Sequence, residues 1–204
     1  PELIEKITGR EFSEFTEHQF FKPLGMNTTC FQPMSHDLDL ENIAPTEEDS
    51  YFRHQKIKAC VHDMGSAMCG GISGHAGVFS TAEDLAKLMQ CYLNFGNYGG
   101  KEYFNNTTVK YFTSRDPQLN RRALIFDLPE LNNSETNYVS NLAPKSTFGH
   151  TGFTGTCAWA DPVNNIVYIF LSNRTYPDGS KNLLHKSRFR VKIQDMIYKS
   201  FIKE

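Results

Sequence analysis

Apolar residues recur at helical spacing most clearly in residues 85–93. They occupy positions i, i+3, i+4, i+7 and i+8, which is the stripe of an amphipathic helix. Ser80 and Glu83 stand before the stripe at the spacing of a capping box, in which the two side chains satisfy the first backbone N–H groups. Gly96 follows as a stop signal. The pattern predicts a helix that begins at Ser80 and ends before Gly96.

Weaker helical patterns occur near both ends of the chain and once between them. Two short apolar repeats precede Pro23, and residues 106–114 fit a short helix. Residues 189–201 carry another apolar stripe and predict a closing amphipathic helix. Residues 27–60 show no clear period, so we expect a long, mostly irregular excursion over the surface.

Strand patterns dominate the second half of the chain. Four short apolar segments are bounded by turn residues: 124–126, 147–150, 156–160 and 166–172. The last two flank a turn-rich linker and predict an antiparallel hairpin, in which the single tryptophan, Trp159, packs into the core. We interpret residues 96–104 as a small turn or hairpin and residues 128–146 as a loop. Strands followed by a helix favour an α/β chain of the α+β type, with helices flanking an antiparallel sheet.

Composition narrows the class of protein. The chain has 204 residues, of which 39% are hydrophobic and 22% charged, and this suits one compact domain or most of one. We divide it into a mostly helical and irregular part, residues 1–115, and a part with the strands and closing helix, residues 116–204. The net charge is −2 without a basic stripe, which argues against nucleic-acid binding. The longest apolar run, residues 166–171, is too short to span a bilayer.

The five cysteines are widely spaced and form no CxxC pair: Cys30, Cys60, Cys69, Cys91 and Cys157. We interpret them as buried free thiols that pack as small hydrophobes. No two histidines have the HxxxH or HxH spacing that places two metal ligands on one face. The sequence therefore predicts no metal ion, and nothing in it implies a cofactor.

Three segments carry motifs. Residues 22–26 read KPLGM, residues 70–85 read GGISGHAGVFSTAEDL, and residues 148–155 read FGHTGFTG. In this order they resemble three segments of the class C β-lactamases, penicillin-binding proteins and related esterases. These are the segment after the central helix, the loop into a following helix, and the third active-site motif, where His150 replaces the lysine of Lys-Thr-Gly. The resemblance implies that residues 1–204 are the C-terminal portion of one β-lactamase/transpeptidase-like domain, without its N-terminal helix and first strands.

A second set of segments narrows the resemblance. The set is IAPTE at 43–47, YFRH at 51–54, VHD at 61–63, NR at 173–174 and PDG at 177–179. These segments are similar to the β-lactamase-like domains that are attached behind family 3 glycoside hydrolases in some bacteria.

The resemblance implies a role for each residue of the third motif. His150 would supply a hydrogen bond or partial positive charge, and Thr151 would hold the substrate carboxylate. Gly152 would let the substrate backbone approach closely. The N–H of Phe153 would form half of the oxyanion hole, which stabilises the negative charge of the tetrahedral intermediate.

Three further residues are assigned to substrate binding: Thr154, Ser73 and His75. The order Gly-Ile-Ser73-Gly-His75 is close to a nucleophile elbow, but an elbow needs glycine two residues after the serine, where His75 stands. We therefore interpret Ser73 as a turn residue that lines the cleft. We expect His62, Asp63 and His75 to hydrogen-bond to loop backbone and fix the cleft walls.

The family's nucleophile is the serine of a Ser-x-x-Lys motif, and a second motif, Tyr-x-Asn or Tyr-Ser-Asp, takes part in proton transfer. The resemblance implies that both motifs precede Pro1, because in the family the second motif comes before the helix that opens this chain. The chain opens as though inside a helix and without a starting Met, so we interpret it as part of a longer polypeptide. Residues 200–203, SFIK, fit Ser-x-x-Lys, but they follow the third motif and we treat them as a chance match. The chain alone is predicted to be inactive.

Two functions remain open. In the first, the parent protein hydrolyses amide, lactam or ester bonds of small-molecule, peptidoglycan-derived or sugar-derived substrates, and the resemblance suggests a bacterial periplasm or cell envelope. In the second, the chain is a non-catalytic binding or structural module attached to a glycoside hydrolase, as unusual residues at Met68, Cys69 and His150 would allow. Either way, missing N-terminal elements would expose a sheet edge and an apolar face, so we expect self-association.

Overall fold

The computed structural model describes residues 1–201, and their elements group into two units. Unit 1 contains Pro1–Asp84 and Ser172–Asn182, and unit 2 contains Leu85–Leu171 and the residues from Leu183 onward. The division at residue 115 stays a prediction. The Ser-x-x-Lys match at 200–203 lies partly outside the described residues.

Unit 1 opens with the two short helices that the apolar repeats predict. They are α1, Glu2–Thr8, and α2, Phe12–Thr16, which continues as a π-helical turn over Glu17–Phe21. On α1, Leu3 and Ile7 are 70% and 73% exposed. This is the kind of apolar face that the self-association hypothesis requires, and that hypothesis stays a prediction.

The rest of unit 1 consists of short elements: strands β1 Cys30–Phe31, β2 Pro45–Asp49, β3 Gln55–Lys58 and β4 Val78–Phe79, helix α3 Met64–Met68, and 3-10 turns Pro33–Ser35 and Leu40–Asn42. Strand β1 pairs with β4 and β2 with β3, both antiparallel. The β2–β3 hairpin lies within residues 27–60, so the expectation of a mostly irregular segment is wrong there.

Distant residues hold this hairpin in place. The Thr175 hydroxyl donates to the carbonyl of Thr46 at 2.8 Å, and the Glu48 N–H donates to the carbonyl of Pro177 at 3.1 Å. These bonds join segments far apart along the chain, so local periodicity carries no signal of them.

Helix α4, Ala82–Leu93, confirms the strongest periodic pattern. Its cap is Thr81 instead of Ser80: the Asp84 N–H donates to the Thr81 hydroxyl at 3.3 Å. The Ser80 hydroxyl instead bonds to that of Thr29 at 2.7 Å. The predicted start of the helix at Ser80 is therefore wrong, and α4 begins at Ala82. The reason is that the Ser80 hydroxyl, expected to cap the helix, is bonded to Thr29.

Unit 2 continues with strands β5 Asn97–Tyr98, β6 Lys101–Glu102, β7 Phe148–Thr151, β8 Cys157–Asp161 and β9 Ile166–Phe170, and helices α5 Asn106–Thr113, α6 Leu183–Ser187 and α7 Phe189–Phe201. Strands β5 and β6 form the small hairpin, and β7, β8 and β9 form an antiparallel sheet in that order. The predicted α+β arrangement is confirmed. Gly96, which ends α4, has a φ of 96°, and a Cβ there would collide with the carbonyl of Phe104.

The predicted strand at residues 124–126 is wrong. The Ala123 N–H donates to the Phe126 carbonyl at 2.9 Å, which closes a turn. Leu124 and Ile125 are 51% and 52% exposed at its tip, whereas Phe126 is buried. Three apolar residues are too few to distinguish a strand from a turn with one buried member.

Side chains alternate along β8, as in any pleated strand. Ala160 joins a buried cluster with Met89 of α4 and Phe148 of β7. Trp159 joins a second cluster with Tyr198 of α7. Trp159 is only 1% exposed, which confirms that it is a core residue. The sheet that carries the third motif is thus packed on both faces.

None of the helices in residues 1–201 combines the length and apolarity that a bilayer-spanning segment needs.

Candidate functional site

The outer edge of β7 is defined by its pairing at Gly149. The Gly149 N–H donates to the Asp127 carbonyl at 3.0 Å, and the Asp127 N–H donates to the Gly149 carbonyl at 2.7 Å. The polar backbone groups of Gly149 therefore point away from β8. Since this direction alternates in an antiparallel pair, the N–H and carbonyl of Thr151 face the same outer edge.

Two glycines are fixed by close contacts in this strand and the turn after it. A Cβ on Gly149 would collide with the carbonyl of Ala158 and with the backbone and ring of Trp159. A Cβ on Gly152 would collide with the hydroxyl of Thr156. Packing against Thr156 therefore explains by itself why residue 152 is glycine. The predicted role of Gly152 in substrate approach stays a prediction.

His150 is exposed, and its side chain has a defined orientation. Its Nδ1 lies 2.6 Å from the Thr151 carbonyl oxygen. A carbonyl oxygen only accepts, so Nδ1 carries the proton. In the neutral imidazole Nε2 then has the free lone pair, and in the imidazolium Nε2 is a second donor. His150 can thus offer either an acceptor or a charged donor beside the strand edge.

The turn after β7 carries the remaining residues of the motif. The Gly152 N–H donates to the Thr156 carbonyl at 2.8 Å, and the Gly155 N–H donates to the Gly152 carbonyl at 3.0 Å. Phe153 is 68% exposed at the tip of the turn, and Thr154 is half-buried beside it. Their roles as oxyanion donor and substrate contact stay predictions.

The closing helix anchors this turn. The Arg190 guanidinium donates to the carbonyl of Thr156 at 2.7 Å, the same carbonyl that receives the Gly152 N–H. The Tyr168 hydroxyl of β9 donates to the Arg190 carbonyl at 2.9 Å. The position of the third motif therefore depends on α7, a contact that no sequence motif indicated.

Positive charge lies close to the outer edge of β7. The buried carboxylate of Asp127 is 2.8 Å from a guanidinium nitrogen of Arg122 and 3.3 Å from one of Arg121. Both arginine side chains are partly exposed, at 44% and 30%. Two guanidinium groups thus contact one carboxylate beside this edge.

The other predicted residues, Ser73 and His75, lie in unit 1 and contact each other. The Ser73 Oγ is 2.8 Å from His75 Nδ1, and His75 Nε2 is 3.0 Å from an oxygen of Asp63. We expected His75 and Asp63 to bond to loop backbone. For His75 this is wrong, because both ring nitrogens contact side chains. Asp63 also accepts the Ser66 N–H at 2.7 Å and so caps α3.

His62 belongs to a separate ionic cluster. Its Nε2 lies 3.3 Å from a carboxylate oxygen of Glu47. Arg53 bridges that cluster: it contacts Glu47 and Asp49 at 2.9 Å each and donates to the carbonyl of Val61 at 2.7 Å. The His62 side chain is thus paired with a carboxylate. This cluster braces the β2–β3 hairpin.

All five cysteines are free thiols, as predicted, but their burial differs. Burial raises the pKa of Cys30, Cys91 and Cys157 to about 11 each, so these three are inert thiols. Cys60 is half-buried and Cys69 is exposed, so the expectation that every thiol is buried is wrong for both. Among residues 1–201, no three His, Cys, Asp or Glu side chains are grouped as metal ligands would be.

Tyr-x-Asn, which we took to be missing, occurs twice, at Tyr92-Leu93-Asn94 and at Tyr103-Phe104-Asn105. The first lies at the end of α4, where the Tyr92 ring stacks on that of Phe104 at 5.2 Å. Burial raises the pKa of Tyr92 to about 12, which suits a core residue. The expected absence of the pattern is therefore wrong, whereas the position of the family's second motif upstream of Pro1 stays a prediction.

A family model described as Beta-lactamase matches residues 2–191. A protein of Escherichia coli K12, described as "Putative D-alanyl-D-alanine carboxypeptidase", is 35% identical over 194 residues, or 88% of this chain and 44% of the relative. One of Salmonella typhi with the same description is 37% identical over 185 residues, or 85% of this chain and 43% of the relative. The chain spans less than half the length of these relatives.

Solved structures share the fold. Simvastatin synthase from Aspergillus terreus aligns with a TM-score of 0.69 at 16% identity, over 100% of this chain and 54% of that one. A penicillin-binding protein homolog from Caulobacter crescentus aligns with a TM-score of 0.62 at 21% identity, over 98% of this chain and 55% of that one. At this level of identity the likeness establishes the fold alone.

Proposed function

The chain belongs to the β-lactamase family, and we propose that it supplies the substrate strand of an acyl-transferring serine hydrolase for amide, lactam or ester bonds. One observation carries the proposal. The peptide groups of Thr151 face the outer edge of β7, and the exposed imidazole of His150 stands beside them. This places hydrogen-bonding groups where an extended substrate can align with the strand.

The residues of the motif then have distinct roles. The Thr151 hydroxyl holds the substrate carboxylate, and the imidazolium form of His150 donates a charged hydrogen bond to it from Nε2. The N–H of Phe153 forms half of the oxyanion hole, and Thr154 contacts the substrate beside it. The partly exposed guanidinium groups of Arg121 and Arg122 near this edge support a substrate that ends in a carboxylate.

A carboxylate-ended amide suits peptidoglycan-derived peptides, and the relatives described as D-alanyl-D-alanine carboxypeptidases support this class. The nucleophile of the family's first motif is not assigned to this chain, whose one Ser-x-x-Lys match follows the third motif. We therefore expect the chain alone to be inactive toward penicillins. Attachment to a glycoside hydrolase stays a prediction.

The test compares this chain with a protein extended upstream along its own gene. Both are incubated with a penicillin and analysed by intact mass spectrometry. We expect a covalent adduct on the extended protein only, at an upstream Ser-x-x-Lys serine. Failure of the extended protein to react, or an upstream gene without that motif, would contradict the proposal and favour the non-catalytic binding module.

A substitution tests the role of the strand. In the extended protein, Thr151→Val removes the hydroxyl and keeps the shape. Acylation by a penicillin, which carries a carboxylate, should slow about 10-fold or more, the value of one hydrogen bond to a charged group. Acylation by a neutral ester should change little. The control is Ser146→Ala, in the turn that precedes β7. An equal effect of Thr151→Val on the penicillin and on the neutral ester would refute the assigned role.

A further inference from the structure

We propose that Ser73, His75 and Asp63 form a second acyl-accepting site, in which Ser73 is the nucleophile, His75 its general base and Asp63 the group that orients the imidazole, and that this site takes activated aryl esters. All three residues lie in unit 1. The proposal is independent of the function assigned to β7, which lies in unit 2.

The hydrogen bonds fix the proton positions. The Ser73 Oγ lies 2.8 Å from His75 Nδ1, and His75 Nε2 lies 3.0 Å from Asp63 Oδ1. A carboxylate only accepts, so Nε2 carries the proton that is donated to Asp63. In the neutral imidazole Nδ1 then has the lone pair and accepts the Ser73 hydroxyl. This is the tautomer that a general base requires, with the two ring nitrogens in exchanged roles relative to the familiar serine triad.

Asp63 is itself held in place. Its Oδ1 receives the Ser66 N–H at 2.7 Å, and this bond and the one from His75 keep the pKa of the Asp63 carboxyl below its usual value. The fully buried Ser66 hydroxyl donates to the carbonyl of Ala76 at 3.1 Å, which ties α3 to the loop that carries His75. An ionised carboxylate is therefore fixed at the far side of the imidazole.

Donors for a developing oxyanion follow Ser73 directly. Within residues 1–201, the N–H groups of Gly74 and His75 donate to no other group of the chain. Unpaired backbone N–H groups are the kind of donor that stabilises the oxyanion of a tetrahedral intermediate. Ser73 is half-buried, and the His75 side chain is 64% exposed, so an ester can reach both. Because the site is open, we expect good leaving groups to matter more than the shape of the acyl group.

The reaction balances with these groups alone. Ser73 Oγ attacks the carbonyl carbon of the ester while its proton passes to His75 Nδ1, and Nε2–H stays bonded to Asp63. The tetrahedral intermediate collapses with cleavage of the carbon–oxygen bond to the aryl group. His75 returns the proton to the leaving oxygen, and the phenol departs. Water then releases the acid by the same two steps, and Ser73 recovers its proton.

The experiment uses the 204-residue chain and p-nitrophenyl acetate. Peptide mapping after brief exposure should locate an acetyl group on Ser73. Ser73→Ala should abolish it, and His75→Gln should slow acylation about 100-fold or more, the usual contribution of a general base. Asp63→Asn should also slow it, although asparagine can still cap α3. The control is Ser180→Ala, which alters an exposed serine that bonds to a carboxylate without an imidazole.

No adduct, an adduct at another residue, or a Ser73 adduct that His75→Gln leaves unchanged would overturn the proposal, provided that circular dichroism shows each variant folded. Penicillin labelling of the upstream-extended protein fails or succeeds separately, so the two proposals are distinguishable.

Discussion

Replacing Tyr198 by phenylalanine removes one hydroxyl from the contact between α7 and the end of β8. That hydroxyl donates to an oxygen of Asp161 at 2.9 Å, and the two side chains are 4% and 1% exposed. The carboxylate keeps three other donors, from the N–H groups of Val163 and Asn164 and the Asn164 amide. Phenylalanine preserves the ring packing, so the change removes only the interactions of the hydroxyl, chiefly the bond to Asp161.

The magnitude follows from the charge and burial of the acceptor. A hydrogen bond to a charged group contributes about 1.5–3 kcal/mol to the free energy of unfolding. Because Asp161 remains bonded to three donors, we expect about 1.5–2 kcal/mol for Tyr198→Phe. Tyr168→Phe removes a bond to the neutral carbonyl of Arg190 and should cost about 0.5–1.5 kcal/mol. Tyr111 is 67% exposed, and Tyr111→Phe should lie within about 0.5 kcal/mol of the original chain.

Urea unfolding followed by fluorescence suits this test, because the single tryptophan, Trp159, is buried in the same cluster as Tyr198. Burial, followed by the bond to Asp161, raises the pKa of Tyr198. Its contribution should therefore be fully present below the usual tyrosine pKa of about 10 and be lost as pH rises through the folded-state value. A loss for Tyr198→Phe no larger than for Tyr111→Phe would refute the reasoning.

Two further predictions concern single sites. Gly149→Ala should lower the free energy of unfolding by about 1–3 kcal/mol, because its Cβ would collide with the carbonyl of Ala158; Gly179→Ala, with only ordinary contacts, is the control in thermal denaturation. Asp49 is buried and bonded to Arg53. Hydrogen bonds from backbone N–H groups, followed by the one from Arg53, lower the pKa of its carboxyl, so stability should fall as pH drops below about 4. An acid titration followed by circular dichroism should be shallower for Asp49→Asn, and an unchanged slope would contradict this.

Local pattern alone determined much of the fold. The apolar stripes of α4 and α7 and the hairpin of β8 and β9 could be read from the sequence, because each buries one face at a constant period. The third motif, residues 148–155, was also recognisable, since its residues are adjacent along the chain. The predictions failed at residues 124–126 and at Ser80. In each of these short segments one side chain contacts a residue far away in the sequence.

Only the tertiary structure decided the contacts between residues far apart in sequence. The β2–β3 hairpin depends on bonds from Thr175 and to Pro177, and the turn after β7 depends on Arg190. The same holds for the pair of His75 and Asp63, twelve positions apart through an irregular loop. Periodicity records which face of an element is buried. It does not record which polar group of a loop will find which partner, because that depends on how the loop closes.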